Sequence, residues 1–388
     1  MRSAKSVEPP IMKCPIAFLL LLAAILAVMP PNSAAATALS RSLETIRAVG
    51  PEGKGNAAAS EAWKKISNEN GKALVPILKS MNGANDLALN WLRAAVDTIA
   101  AQELKSGKSL PVPALEAFLK DTQNNPQARR LAYEWIARAN PAAAERLIAG
   151  MTDDPGRELR RDAVQRKMDE AMSAHKAGRS NDAAMRFQSI LPAARDVDQV
   201  ETIARQLKQL GQPVELARVF GWVSEWKVIG PFDSPKGAGF DKVYPPEQGI
   251  DLNAEYDGKN GKVRWQEVQA RGDRGLVDLN KPCGALKEVA GYAYAEFNAE
   301  TARAVELRLG CKNAWKVWLN GKFLFGRDEY HRGMEIDQYR MAGALKSGQN
   351  TILVKICQNE QVEDWTKEWE FQLRITDSLG SPIASAKK

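Results

Sequence analysis

Residues Val305–Phe325 read VELRLGCKNAWKVWLNGKFLF. Val305, Leu307 and Leu309 alternate with Glu306 and Arg308, and Trp315, Val317 and Leu319 alternate with Lys316, Trp318 and Asn320. A period of two is that of a strand with one buried face. The Asn320-Gly321 pair accepts positive φ at both central positions of a tight turn, so Lys322–Phe325 is expected to run back as a hairpin. The stretch therefore predicts an antiparallel meander.

Strand signals continue on both sides of it. WVSEWKVIGPF, from Trp222, reads as a strand entering a Gly-Pro turn, and DLNAEYDGKNGKVRWQEV as a hairpin over 257–261. GLVDLN and AGYAYAEF precede the meander, and NTILVKICQ and EWEFQLRITDSLG follow it. Short strands at regular spacing without helices between them predict a β-sandwich or jelly roll over 222–378. Residues 379–388 read as a disordered tail.

Upstream the period becomes helical. From Leu39 to Phe220 Ala, Leu, Glu, Lys and Arg dominate, broken by Gly, Pro and Asn. Segments 74–100, 115–141 and 144–171 each predict a short helix, a polar turn and a longer helix, aligning Ala95, Ala132 and Ala163. HKAGRSNDAAMRFQSIL (175–191) places Gly178 between two further helices, with Ala183-Ala184 packed against the partner. Trp63, Trp91 and Trp135 are expected in the core of this half, which spans 37–221. The fold class is thus a two-domain α + β chain, with separately folded units meeting near Gly221.

The first 36 residues read as a signal peptide. Lys13 precedes the apolar run Ile16–Val28, and Ala34-Ala35-Ala36 offers a cleavage site. An uncleaved anchor is the other reading. Export to the periplasm or exterior, without a membrane span in the mature chain, is the expectation. The whole chain carries a formal net charge of +7, and removing Arg2, Lys5, Lys13 and Glu8 leaves +5. That excess is dispersed over the helical half, which argues against nucleic acid.

WKVIGPFD, GFDKVYPPE, VRWQ, VELRLG, KVWLNGK, HRGMEIDQY, LKSGQNTILVKICQ and WEFQLRITD together resemble a module of exported bacterial proteins. It is similar to galactose-binding-like and carbohydrate-binding jelly rolls, and the resemblance covers roughly 115–378. The helical half resembles HEAT repeats, with a unit similar to a tetratricopeptide hairpin over 164–210. The resemblance implies an architecture and an export route, but no catalytic residue and no ligand.

Strictly alternating strand directions bring three loops to one end: 310–314, 326–335 and 358–368. Asn313, Asp328, Tyr330, His331, Arg332 and Trp365 then form a candidate ligand site. Aromatic faces beside carboxylates, amides and guanidinium groups suit a sugar, whose C–H face stacks while its hydroxyls take directional partners. The alternative is that Tyr330 and Trp365 plug the sandwich end. Trp369 shares parity with Phe371, Leu373 and Ile375 and should be buried; Trp365, among polar neighbours, has no core face.

Chemistry beyond binding finds little material. The chain has two histidines, His175 and His331, assigned to different domains, and GPFDSPKGAGFDK lacks the ending of a phosphate loop. Glu360, Glu363 and Asp364 could pair for glycoside hydrolysis but read as a solvated run. No cofactor is expected, except that Asp233 and Asp241 could hold a structural Ca²⁺. A Cys311–Cys357 disulfide would close a loop of 45 residues, stabilising by about 3–4 kcal/mol. The expected function is non-catalytic binding of carbohydrate or envelope glycan, the helical half serving as spacer. The alternative is a protein–protein adaptor that binds through the helical face.

Overall fold

A computed structural model describes residues 31–386. Residues 1–30, most of the expected signal peptide at 1–36, lie outside the described residues, and α1 (Pro31–Arg47) runs through Ala34-Ala35-Ala36. Among the described residues no helix is long and apolar enough to cross a membrane.

The chain divides into two compact units between Ser106 and Gly107. The first holds α1, α2 (Asn56–Ile66), α3 (Leu74–Ser80) and α4 (Asp86–Lys105). Asn85 starts α4 by accepting a hydrogen bond from the Ala88 amide at 2.9 Å, a cap contributing about 1 kcal/mol. Trp63 and Trp91 are only half-buried, with ring centroids 6.5 Å apart.

The second unit starts with α5 (Val112–Lys120), α6 (Pro126–Ala139), α7 (Pro141–Ile148), α8 (Arg157–Lys176), α9 (Ser180–Ile190), α10 (Val197–Gln209) and α11 (Leu216–Phe220). The short-then-long pairing read from the sequence is present in α3/α4, α5/α6 and α7/α8. Ala95, Ala132 and Ala163 are each fully buried. Asn125-Pro126 and Asn140-Pro141 punctuate the chain as caps followed by proline at the first helical position, where its missing N–H leaves nothing unpaired. The Arg129 guanidinium grips Asp154 with two bonds of 2.8 and 2.6 Å and gives its Nε–H to Leu119 O at 2.7 Å. Those buried charge-assisted bonds tie α6 to the turn entering α8.

The strands are β1 (Glu225–Asp233), β2 (Tyr256–Gly258), β3 (Gly261–Val263), β4 (Gln266–Gln269), β5 (Val277–Asp278), β6 (Val289–Ala299), β7 (Arg303–Cys311), β8 (Ala314–Leu319), β9 (Lys322–Arg327), β10 (Tyr339–Leu345), β11 (Gly348–Gln358) and β12 (Glu370–Thr376). They form a six-stranded sheet, β4-β1-β6-β11-β8-β9, a four-stranded sheet, β10-β7-β12-β5, and the β2-β3 hairpin. All pairings are antiparallel.

The Asn320-Gly321 turn joins β8 to β9 with φ of 52° and 75°, as expected. The meander is corrected at its first step. β7 and β8 lie in different sheets, so the connection at Lys312-Asn313 crosses between layers. Val305, Leu307 and Leu309 instead share a core with Trp315, Val317 and Leu319. A period of two identifies the buried face of a strand and not its neighbour.

Both outer faces of the sandwich are covered as well. On the six-stranded sheet Ile229, Tyr292, Leu353 and Cys357 pack with Tyr244 and the segment from Phe240 to Trp265. Lys355, on that same sheet, is fully buried. It donates to Phe240 O, Lys242 O and Glu247 Oε1 at 3.1, 2.7 and 2.8 Å. On the four-stranded sheet Arg308 and Arg374 both bind Asp337, at 2.6 Å each. The Arg374 guanidinium lies over the rings of Phe220 and Trp222, at 5.3 and 5.9 Å, and donates to Phe220 O.

Helices α5–α11 therefore belong to the compact unit of the sandwich, and the unit boundary is not at Gly221. Only the change from helix to strand falls there. Limited proteolysis should yield a resistant fragment beginning near Gly107; a fragment beginning near Trp222 would contradict this division. The tail is also corrected. Ile383 N donates to Ile375 O and Ala386 N to Asn298 O, at 2.9 and 2.8 Å, which orders 379–386 along the sandwich.

No disulfide joins Cys283, Cys311 and Cys357, which are free and buried. Cys311 points into the core between the sheets and Cys357 to the outer face of the six-stranded sheet, so the expected pair cannot meet. Burial pushes all three thiols up to about 12. Thiol reagent should leave them unmodified in the native chain and modify all three after denaturation without reductant. Loss of two from that final count would contradict the structure.

Candidate functional site

The three connections expected at one end do meet there. Lys312 O accepts from Arg332 N at 3.1 Å, linking the β7–β8 and β9–β10 connections. Lys312 Nζ also pairs with Glu368 of the β11–β12 connection. Asn313 Nδ2 donates to Gln358 Oε1 and Glu368 O, at 3.2 Å each. His331 Nε2 lies 2.7 Å from Asn359 Oδ1. Because β7, β8, β9, β10, β11 and β12 reverse in turn, alternate connections must fall at the same end, whichever sheet each strand joins.

The six candidate residues divide by exposure. Asn313 is 1% exposed with its Nδ2 donors spent on Gln358 at the end of β11 and on Glu368 of the β11–β12 connection, so it braces the end from a buried position. Tyr330 is half-buried against the outer-face cluster of the six-stranded sheet, which agrees with the plug reading for this residue. Burial raises its pKa above the ordinary tyrosine value, with Asp328 among the charges that add to the effect. Asp328 is exposed at the surface. Its carboxyl is also raised, first by partial burial and then by Asp241, against the lowering effects of Lys316 and the Tyr330 hydroxyl.

His331, Arg332 and Trp365 remain. Trp365 is 62% exposed on a 3₁₀ turn, Asp364–Thr366. Its ring stands edge-to-face on His331, with centroids 5.2 Å apart and planes at 82°, a favoured aromatic geometry. The turn under it is fixed from below. Thr366 is 1% exposed, and its carbonyl accepts from Lys287 Nζ at 2.7 Å and Gln358 Nε2 at 2.9 Å. Arg332 is exposed and 3.7 Å from Glu329. Val362, on the same connection as Trp365, is 69% exposed. Trp369, four residues on, is fully buried, as its parity requires.

The carboxylates considered for hydrolysis stay on this surface. Asp364 pairs with Lys367 at 2.5 Å, whose hydrogen bond and charge lower its pKa, the opposite of what a general acid needs. The Ca²⁺ suggestion is not supported either. Asp233 faces Lys259 at 3.1 Å and Asp241 faces Lys316 at 3.4 Å, and a lysine neutralises the charge a cation would require. Among the described residues no three His, Cys, Asp or Glu side chains converge as a metal cluster.

Cavities of about 460, 410 and 330 Å³ are lined by residues other than Trp365, His331 and Tyr330. The three-loop end presents the exposed Trp365, braced beneath and standing edge-to-face on His331. The bracing by Lys287, Thr366 and Gln358 was missed from sequence; nothing in the spacing of these residues signals it.

No family model matches the chain, and no protein of curated function matches it. Among solved structures, a β-glucosidase from Kluyveromyces marxianus in complex with glucose matches with 10% identity over 39% of this chain and 16% of that one, TM-score 0.23. An anti-sigma factor domain-containing protein from Clostridium clariflavum matches with 10% identity over 43% and 48%, TM-score 0.23. The PA14 domain of the antifreeze protein MpAFP matches with 12% identity over 43% and 86%, TM-score 0.25. The chain spans less than half the length of the first two. None of these scores reaches 0.5, so the reading of the site rests on its own residues.

Proposed function

We propose that this chain is an exported, non-catalytic binding protein whose sandwich, of the galactose-binding-like type, takes a carbohydrate or cell-envelope glycan at its three-loop end. The helical half, a HEAT- and TPR-like repeat, acts as a spacer or second interaction surface. The observation that carries this reading is Trp365, exposed and held edge-on by His331 over a turn whose backbone is fixed by Lys287 and Gln358. A pre-organised aromatic face offers a stacking surface for the C–H face of a sugar at little conformational cost. The exposed ring fits a unit within a polymer better than an enclosed monosaccharide. Arg332, next to His331 in sequence, and Asp328, on the same connection, supply charged groups able to bond hydroxyls.

A glycan array probed with the full chain tests the proposal. Binding to a restricted set of glycans supports it. A blank array overturns it and favours the adaptor reading, in which the helical face binds a protein.

A further inference from the structure

A cleft of about 460 Å³ within the second unit is lined from α8, from the α9–α10 connection and α10, from the β9–β10 connection and from Leu379. That volume lies in the range of small-ligand sites, roughly 300–1,000 Å³. Its lining is rich in arginine. Arg157, Arg274 and Arg308 each meet a carboxylate: Asp196 at 2.7 Å, Glu201 at 3.5 Å and Asp337 at 2.6 Å.

Arg160 meets none, and Arg195 meets one only at the solvent-exposed Asp153. Arg160 is 4% exposed. It gives Nη1 to Asp154 O at 2.9 Å and Nη2 to Leu379 O at 3.3 Å, both neutral carbonyls. The Asp154 carboxylate is occupied by Arg129. Arg195 reaches only Asp153 Oδ1, at 3.4 Å, on a carboxylate that is 80% exposed. Arg160 Nε and Arg195 Nε and Nη1 are buried without an acceptor among the described residues.

The two guanidinium groups also act on each other. Burial first, and the Arg195 charge second, hold the Arg160 pKa below its ordinary value. Two like charges set together with unused donors are costly in a medium of low dielectric. A bridging anion reverses that cost, and planar guanidinium forks match the oxygens of phosphate and carboxylate.

We propose that Arg160 and Arg195 hold an oxyanion in this cleft, a phosphate or carboxylate group, the remaining volume accommodating the molecule that carries it. This cleft shares the β9–β10 connection with the three-loop end but is not lined by Trp365, His331 or Tyr330, and it does not rest on the glycan reading.

The test is calorimetric titration of the full chain at low salt with inorganic phosphate and, separately, sodium glucuronate, with sodium chloride at matched ionic strength as control. Saturable binding of either probe, with a rise in melting temperature beyond the chloride control, is expected. Phosphate alone identifies a phosphate-bearing ligand, and glucuronate alone an acidic sugar. Arg195→Gln should weaken the binding at least about tenfold, the effect of one lost charge-assisted contact. Should that variant fail to fold, Arg195→Lys keeps the charge without the fork and should weaken binding by a smaller factor. No response beyond chloride, or undiminished binding by the folded variant, overturns the proposal.

Discussion

Asp337→Asn should destabilise the chain by about 3–5 kcal/mol, the cost of removing one partner from a buried ion pair. Asp337 takes Arg374 Nε on Oδ1 at 2.7 Å, and Arg374 Nη2 and Arg308 Nη1 on Oδ2 at 2.6 Å each. The side chains of Arg308, Asp337 and Arg374 are 5%, 6% and 3% exposed. The substitution therefore leaves Arg374 without a carboxylate and Arg308 with Glu306 alone. Residue 337 has φ of 62°, which asparagine tolerates, so the loss reports charge and not backbone strain.

The pH dependence has a definite sign. Burial would raise the Asp337 pKa, but the hydrogen bonds and charges of Arg374 and Arg308 outweigh it and hold the carboxyl below its ordinary value. A depressed folded-state pKa contributes stability that is complete above about pH 4 and lost as pH falls through the lowered value. Urea denaturation across pH 2–7 should show that decline in the parent chain and a shallower one in Asp337→Asn. A loss under 1 kcal/mol at neutral pH would mean that the triad is not the tie between helices and sandwich described above.

Trp369→Ala should cost about 3–5 kcal/mol, as truncation of a large buried aromatic does. The ring is fully buried in the core between the sheets. Its Nε1–H donates to Ile356 O at 3.3 Å. Gly291 makes room for it: a Cβ there would lie 2.9 Å from Trp369 Cζ2 and 2.8 Å from Leu279 Cδ2. Trp365→Ala should cost under about 0.5 kcal/mol, as exposed substitutions do. Denaturation of both variants by urea measures the contrast, and equal losses would mark Trp365 as a plug.

Much of this was legible because periodicity reports burial directly. The Asn320-Gly321 hairpin, the paired helices and the opposite fates of Trp365 and Trp369 follow from residue spacing. The clustering of three loops follows from strand reversal alone. What spacing does not carry is the identity of neighbours. The parity of Val305–Leu309 is the same whether β7 pairs with β8 or faces it across the core. Cys311 and Cys357 lie on opposite sides of a sheet for the same reason. The alternation also misleads where an outer face is covered. Alternation puts Arg308, Lys355 and Arg374 on outer faces of the sheets, yet they are buried, because Asp337 and Glu247 reach them from distant segments. The Arg160–Arg195 cleft was illegible on the same grounds, being assembled from helices, a loop and the tail.

The most direct measurement is equilibrium binding of the full chain and of Trp365→Ala to the strongest glycan found on the array. The account predicts that the variant keeps the parent melting temperature within about 2 °C, as its small stability loss implies. Its affinity should fall at least tenfold, since stacking on one aromatic face is worth more than about 1.4 kcal/mol in such a site. Equal affinity in the two proteins would contradict it and remove Trp365 from the site.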